Sequence, residues 1–338
     1  MSNEYPDPSA LMQLATGYWN SATLLAANEL RLFDLLAQSS RPADEIARAL
    51  NADLSATTRL LDACVGLQLL TKEGSDGRAL YSNTPVSAAF LVAGRPGYLG
   101  SAIAWGADQY SAWGRLSEAV RQGKPVLAPA LHLGDDPEQT RTFVLGMYHR
   151  ALGVARGVLH FLDLSGVRTL LDVGGGPGAY AMLLAQKYPD LHATVLDLPG
   201  IVRIAAELIA EAGLTERVGV HPGDATQDDY GDAEFDAVLF SGVLHQMSGP
   251  TIQAMLRRAY RALKSGGRVL ISDMMVDSTR TQPLFSALFS LQMLLSSAEG
   301  AVFSADDMRE WLGQAGFEDV GVQRLPPPLP YEVIHAVK

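Results

Sequence analysis

The stretch Thr169-Leu170-Leu171-Asp172-Val173-Gly174-Gly175-Gly176-Pro177-Gly178 passes from an apolar run through an acid into a glycine cluster. Residues 180–188 read as the helix that follows. Strand, glycine turn and helix form the opening unit of a nucleotide-binding α/β sheet. Glycines there let the chain turn tightly and let a ligand approach the amides at the helix N-terminus. The spacing fits two fingerprints. Gly174-x-Gly176-x-x-Ala179 suits a dinucleotide, and Asp172-x-Gly174-x-Gly176-x-Gly178 suits S-adenosylmethionine (SAM). An ordinary tight βα turn is the plain alternative.

Two further acids follow at strand ends. Leu191-His192-Ala193-Thr194-Val195-Leu196-Asp197-Leu198-Pro199 is a second strand, and Asp197 stands where a carboxylate meets the two adjacent ribose hydroxyls of a nucleoside. A third strand, 217–221, runs into Gly223-Asp224-Ala225. Asp224 could accept from an adenine amino group while the backbone at Ala225 pairs with the ring. Either acid could instead be held by local amides, with Asp224 capping its own turn.

The elements that must position these groups alternate through the C-terminal half. Residues 235–240 form a fourth strand that leads into Ser241-Gly242-Val243-Leu244-His245-Gln246, and 250–263 form a helix. Lys264-Ser265-Gly266-Gly267 turns into a fifth strand over 268–273. Residues 284–295 make an apolar helix, and Ser304 with Asp307 caps another over 305–316. Two strands, 317–324 and 332–337, linked through Pro326-Pro327-Pro328, complete seven.

The N-terminal half is mostly helical. Residues 10–36 carry Leu24, Leu25, Leu30 and Phe33 at helical spacing. Helices over 41–50 and 55–67 precede strand signals at 69–72 and 79–81 around the turn Gly74-Ser75-Asp76-Gly77. Helix, turn, helix and hairpin describe a winged helix. Its second helix carries one base, Arg59, and one acid, Asp62, where a DNA reader needs a basic stripe. Dimerisation is the better reading, because such apolar helices must bury their faces somewhere. Residues 90–131 are helical and aromatic, 125–137 form a linking loop, and 140–162 form a connecting helix. The expected domains are 1–137, a connecting segment 138–165, and 166–338.

Composition narrows the class. A 338-residue chain can hold two cores, and a net charge of −11 opposes broad binding to nucleic acid or anionic membrane. The single cysteine, Cys64, excludes an internal disulfide framework and suits a reducing, cytoplasmic setting. Neither a signal peptide nor a long apolar span is evident in the sequence.

Taken in order, Asp172-Val173-Gly174-Gly175-Gly176-Pro177-Gly178, Asp197-Leu198-Pro199, Gly223-Asp224, Leu244-His245 and Leu263-Lys264-Ser265-Gly266-Gly267 resemble the class I SAM-dependent small-molecule O-methyltransferases of the caffeic acid and acetylserotonin type. The resemblance covers nearly the whole chain, including the winged-helix half. It implies an α/β fold: a Rossmann-like seven-stranded sheet behind an N-terminal, mostly helical winged-helix dimerisation domain. It also implies a homodimer, no metal, and SAM lying over Asp172, Gly174, Gly176, Asp197, Leu198, Asp224, Ala225 and Ser241.

The resemblance assigns the general base to a histidine just after the fourth strand, which is His245. Gln246 and Met247 replace the acid and tryptophan that usually follow, and Ser241 replaces a basic residue near the cofactor. The positions of the two acids that orient the histidine align with Val302 and His335, so a one-turn slip would be needed to reach Glu299 or Glu332. The pocket for a flat apolar acceptor would draw on Trp105, Tyr110, Phe143, Met147, Tyr148, Phe289, Gln292 and Met293, all of which could equally be core. The acceptor is expected to be a small aromatic or polycyclic metabolite methylated on oxygen. Loss of the orienting acids would favour C- or N-methylation, or SAM binding without transfer. A ligand-sensing DNA regulator and a nicotinamide dehydrogenase are the competing classes.

Overall fold

The computed structural model describes residues 7–75, 78–127, 137–326 and 331–338. The chain divides into two compact units, Met1–Gln109 and Tyr110–Lys338. Among the described residues no helix is long and apolar enough to cross a membrane.

The first unit starts with helices Ser9–Thr16, Tyr18–Glu29 and Leu32–Leu35. Strand β1 (Arg41–Pro42) then leads directly into the helix Ala43–Leu50. The sequence suggested helix from residue 41. The structure instead uses Arg41 and Pro42 to pair with β3 (Leu80–Asn83), and β2 (Leu70–Glu73) pairs with β3 on its other side. Proline is tolerated here because β1 is a sheet edge that needs no donor from it. The second helix of the motif, Leu54–Gly66, is capped by the Asp53 side chain, which accepts from the Ala56 amide. Its Asp62 accepts from Lys72 and from the Tyr81 hydroxyl, and so ties the helix to the wing. Cys64 is fully buried in the core of this unit, and burial pushes its thiol up to about 11. Leu11, Met12, Leu14, Tyr18 and Trp19 stand exposed on the first two helices. Asp76 and Gly77, at the hairpin tip, lie outside the described residues, as do 128–136 of the expected linking loop and Pro327 and Pro328.

The second unit is a seven-stranded sheet flanked by helices. Its strands are β4 (Thr169–Val173), β5 (His192–Asp197), β6 (Val218–Pro222), β7 (Phe235–Ser241), β8 (Leu263–Asp273), β9 (Glu318–Arg324) and β10 (Glu332–Val337). The spatial order is β6-β5-β4-β7-β8-β10-β9, with β10 antiparallel to both neighbours and the other pairings parallel. Strands β4, β5, β7 and β8 are rich in buried apolar residues because helices cover both faces, whereas β6, at the sheet edge, buries only Val218. The chain leaves β4 toward β5 on one side and returns to β7 on the other. Such a reversal opens a crevice beyond the carboxyl ends of the strands. Strand β8 starts earlier than its sequence suggests. Gly266 and Gly267 bond to the Lys338 backbone, and the extra residues bulge out between the Phe235 and Ala237 pairings.

Candidate active site

The glycine loop leaves β4 at the crevice. Gly174, Gly176 and Gly178 all have positive φ, between +56° and +76°, which the left-handed region reserves mainly for glycine. Gly174 also lies so close to Val243 that a Cβ would sit 2.5 Å from its methyl group. A Cβ on Gly175 would sit 2.7 Å from the Asp172 carboxylate, so this acid lies immediately beneath the turn. The helix Ala179–Lys187 then points its N-terminus at the loop.

Asp172 is fully buried, and neither carboxylate oxygen has a hydrogen-bond partner of normal geometry. Burial first, and the nearby Asp197 charge second, push its carboxyl up to about 7, against a small opposing pull from the Ala181 amide. Asp197 accepts from the Gly176 amide at 2.8 Å and from the Leu198 amide at 2.7 Å, which closes the loop onto β5. Burial nevertheless raises its carboxyl above the ordinary range. Two carboxylates thus share one desolvated place. Such a place favours a cation and opposes a pyrophosphate.

Asp224 shapes its own loop. Its carboxylate accepts from the Thr226 amide and hydroxyl and from the Gln227 side chain, while its backbone N–H donates to Asp228. The Tyr230 hydroxyl donates to the Ala225 carbonyl from within the core. This loop is therefore preorganised by Asp228 and Tyr230, two residues that the spacing of the chain had not singled out. Ser241 ends β7 in register with Ser272.

His245 sits on a short 3₁₀ turn, Leu244–Gln246, and is almost fully buried. Its Nδ1 lies 2.6 Å from Asp273 Oδ1, and its backbone N–H donates to Asp273 Oδ2. The Met274 amide also donates to Asp273 and fixes the carboxylate in turn. The imidazole and the Phe289 ring pack edge to face, with 4.9 Å between ring centres and an interplanar angle of 81°. With Nδ1–H donated to a carboxylate, Nε2 carries the lone pair.

Asp273 corrects the sequence reading. The alignment placed an orienting acid at His335, but that side chain lies on β10 over Gly321, paired in register with Leu270. Val302, the other aligned position, is buried apolar core. Neither slipped acid takes its place, because Glu299 is exposed and accepts from Thr251, and Glu332 pairs with Arg324. Asp273 could have been found from the pattern already used for Asp172 and Asp197: it is an acid closing a strand at the crevice edge, here on β8 beside the β7 end that precedes His245.

The expected pocket residues have different settings. Phe289 and Met293 are buried with Tyr331 and Met274 in one core cluster, and Tyr148 packs partly buried against it. Gln292 is buried and accepts from the Trp113 indole N–H at 2.7 Å. Met147 is half-buried, whereas Tyr110 is exposed. The side chains of Trp105 and Phe143 lie outside the described residues. Among the described residues no group of acids, histidines and cysteine could hold a metal ion.

Residues 113–318 match the profile of an O-methyltransferase domain, and 12–93 match an O-methyltransferase dimerisation domain. The chain belongs to the O-methyltransferase family. Among its relatives, the 3-hydroxy-5-methyl-1-naphthoate 3-O-methyltransferase of Streptomyces sahachiroi is 38% identical over 336 residues, covering 98% of this chain and 95% of the relative. The N,N-dimethyltransferase OxyT of Streptomyces rimosus is 33% identical over 337 residues, covering 97% and 96%. The crystal structure of human N-acetylserotonin methyltransferase in complex with SAM superposes with a TM-score of 0.89 at 30% identity, covering 100% of this chain and 99% of that one. Within this O-methyltransferase the matched catalytic domain contains the glycine loop, the Asp224 loop and the His245–Asp273 pair.

Proposed function

We propose that the protein transfers a methyl group from SAM to a hydroxyl of a small aromatic or polycyclic acceptor, with His245 as general base. The observation that carries this is the buried His245–Asp273 pair at the mouth of a sheet whose glycine loop overlies an unpartnered acid. The residues present fit SAM. Asp172 and Asp197 make a negative, desolvated seat suited to its positive charge, and Gly174, Gly176 and Leu198 shape the turn above it. Asp224 and Ala225 offer polar edges to the adenine, with Ser241 alongside. When bound, SAM supplies a methyl group already activated by positive sulfur.

The chain must then bring the acceptor oxygen in line, exclude water and remove the hydroxyl proton. A phenol with an ordinary pKa near 10 is mostly protonated at neutral pH, so a base in reach speeds the reaction. His245 accepts that proton on Nε2, and Asp273 faces the positive charge the ring gains. Phe289 packs against the imidazole ring. Phe289, Gln292, Met293 and Tyr148 would form the acceptor wall, with Met147 and Tyr110 as further candidates. No metal is required by this chemistry.

A second reading, transfer to nitrogen, is favoured by the 33% identity to an N,N-dimethyltransferase. The intact histidine–acid pair supports oxygen, because a neutral amine needs no base to become nucleophilic. The N-terminal unit is read as a homodimerisation module, because Met12, Leu14, Tyr18 and Trp19 expose apolar surface on the segment matching the family's dimerisation domain. Neither nucleic acid nor membrane is proposed as a partner, and the lone buried cysteine is consistent with the cytoplasm.

Calorimetric titration with SAM and separately with NAD, followed by product mass and methyl position on hydroxynaphthoate and aminonaphthalene probes, tests this reading. SAM binding and a methyl ether are expected. NAD binding alone, or methylation confined to nitrogen, would overturn it.

A further inference from the structure

The helix Leu284–Ser296 contributes Phe289, which packs edge to face with the His245 ring, and it ends at Ser297. The Ser297 hydroxyl donates to the Gln246 carbonyl at 3.1 Å, across 51 positions of sequence. It also accepts from the amides of Glu299 and Gly300. Four residues after Ser297 the Ala301 amide donates to the His245 carbonyl at 3.0 Å. Gly300 packs so tightly here that a Cβ would lie 2.9 Å from the His245 carbonyl oxygen and 2.8 Å from Ser297 Cβ. The turn that carries His245 is therefore held from two sides. Asp273 fixes its ring and its amide, and the segment 297–301 fixes its carbonyls.

We propose that Ser297 is a positioning residue, latching the end of the acceptor-side helix to the turn that carries His245. The proposal rests on the reading of His245 as general base. A single hydroxyl joins two elements that must stay in register for an in-line reaction, one bearing the base and the other bearing Phe289. Ser297 touches no reacting atom. Its effect passes through the Gln246 carbonyl to the neighbouring imidazole, which tilts if the turn loosens.

The test compares Ser297→Ala, Ser297→Thr, His245→Ala and the Ser297→Ala/His245→Ala double variant in the full chain. The assay uses SAM and a hydroxynaphthoate acceptor. Ser297→Ala is expected to lower kcat between about threefold and a hundredfold, the range that follows from displacing a reacting group by a fraction of an ångström to about 1 Å. Acceptor KM and SAM affinity stay close to native, and Ser297→Thr, which keeps the hydroxyl, restores most of kcat. Because the latch acts only through the base, adding Ser297→Ala to His245→Ala should bring no further loss. Native kcat in Ser297→Ala, failure of Thr to rescue, or an additive loss in the double variant would each overturn the latch. If His245→Ala itself keeps native turnover, the base reading falls and the latch falls with it. Thermal midpoint and SAM affinity show that each variant is folded. Should Ser297→Ala fail to fold, Ser297→Cys provides the comparison, because a thiol is a weak donor of nearly the same size and is expected to give a kcat below those of the native protein and Ser297→Thr; native kcat there would overturn the proposal.

Discussion

Replacing Asp172 by asparagine should stabilise the free protein above neutrality while weakening its hold on SAM. The carboxyl is fully buried, lacks a hydrogen-bond partner of normal geometry, and is pushed up from 3.8 to about 7. Its native state binds a proton more tightly than its unfolded state. The sign follows directly: native stability falls as pH rises from about 4 to about 7, then becomes flat with respect to this group. At about 1.4 kcal/mol for each tenfold change in proton affinity, the full excursion is about 4 kcal/mol. Asparagine has the same shape and does not titrate. Its buried amide costs about 1 to 3 kcal/mol where it finds no partner, and that cost is constant in pH. The stability of Asp172→Asn minus that of the native protein should therefore rise by up to about 4 kcal/mol between pH 4 and pH 8. Urea denaturation of both proteins across this range measures the difference. Other groups largely cancel. Asp236, for instance, is pushed up by burial but held down to about 2 by Lys264 and the amides of Arg168 and Thr169, so it acts below this window. The same variant should bind SAM less tightly, because a neutral amide no longer faces its positive charge. A stability difference that does not change with pH would refute the argument that Asp172 is a desolvated acid awaiting a cation.

Two further outcomes test the parts of the site. Asp273→Asn should leave SAM affinity unchanged and lower kcat by about a hundredfold or more, the scale of general base catalysis, since an amide neither fixes the histidine tautomer nor faces its positive charge. Steady-state kinetics beside calorimetry checks this, and an unchanged kcat would refute it. Tyr230→Phe removes the hydroxyl that holds the Ala225 carbonyl. A net loss of about 1 kcal/mol corresponds to SAM binding weakened about fivefold, with kcat at saturating SAM retained. Unaltered affinity would show that the Asp224 loop does not need this support.

Much of the fold could be read from local signals. The three positive-φ glycines fall where the spacing required a tight turn, β10 occupies the 332–337 expected of it, and Ser304 and Asp307 form the capping box that their spacing indicated. Each of these depends on a few neighbouring residues. Asp273 was missed for the opposite reason. Its partner is 28 positions away, and only the lateral adjacency of β7 and β8 brings the two together. Alignment position alone pointed to His335, which the antiparallel register of β10 carries to a different place. The strand at Arg41 and Pro42 was hidden in the same way, because an edge strand formed by long-range pairing leaves little local pattern. Asp224 was legible as a loop acid, whereas its bonds to Thr226 and Gln227 depend on how the loop closes. The pocket was the least legible part, since Phe289, Gln292 and Met293 share helical spacing with ordinary core residues.

The central claim is that a histidine held by Asp273 removes the acceptor proton beside bound SAM. Methyl transfer from labelled SAM to a hydroxynaphthoate by native protein and by His245→Ala, with SAM affinity measured on both, tests it most directly. The account predicts a methyl ether from the native protein, and loss of most turnover at unchanged SAM affinity in the variant. Equal turnover by the two proteins would contradict it.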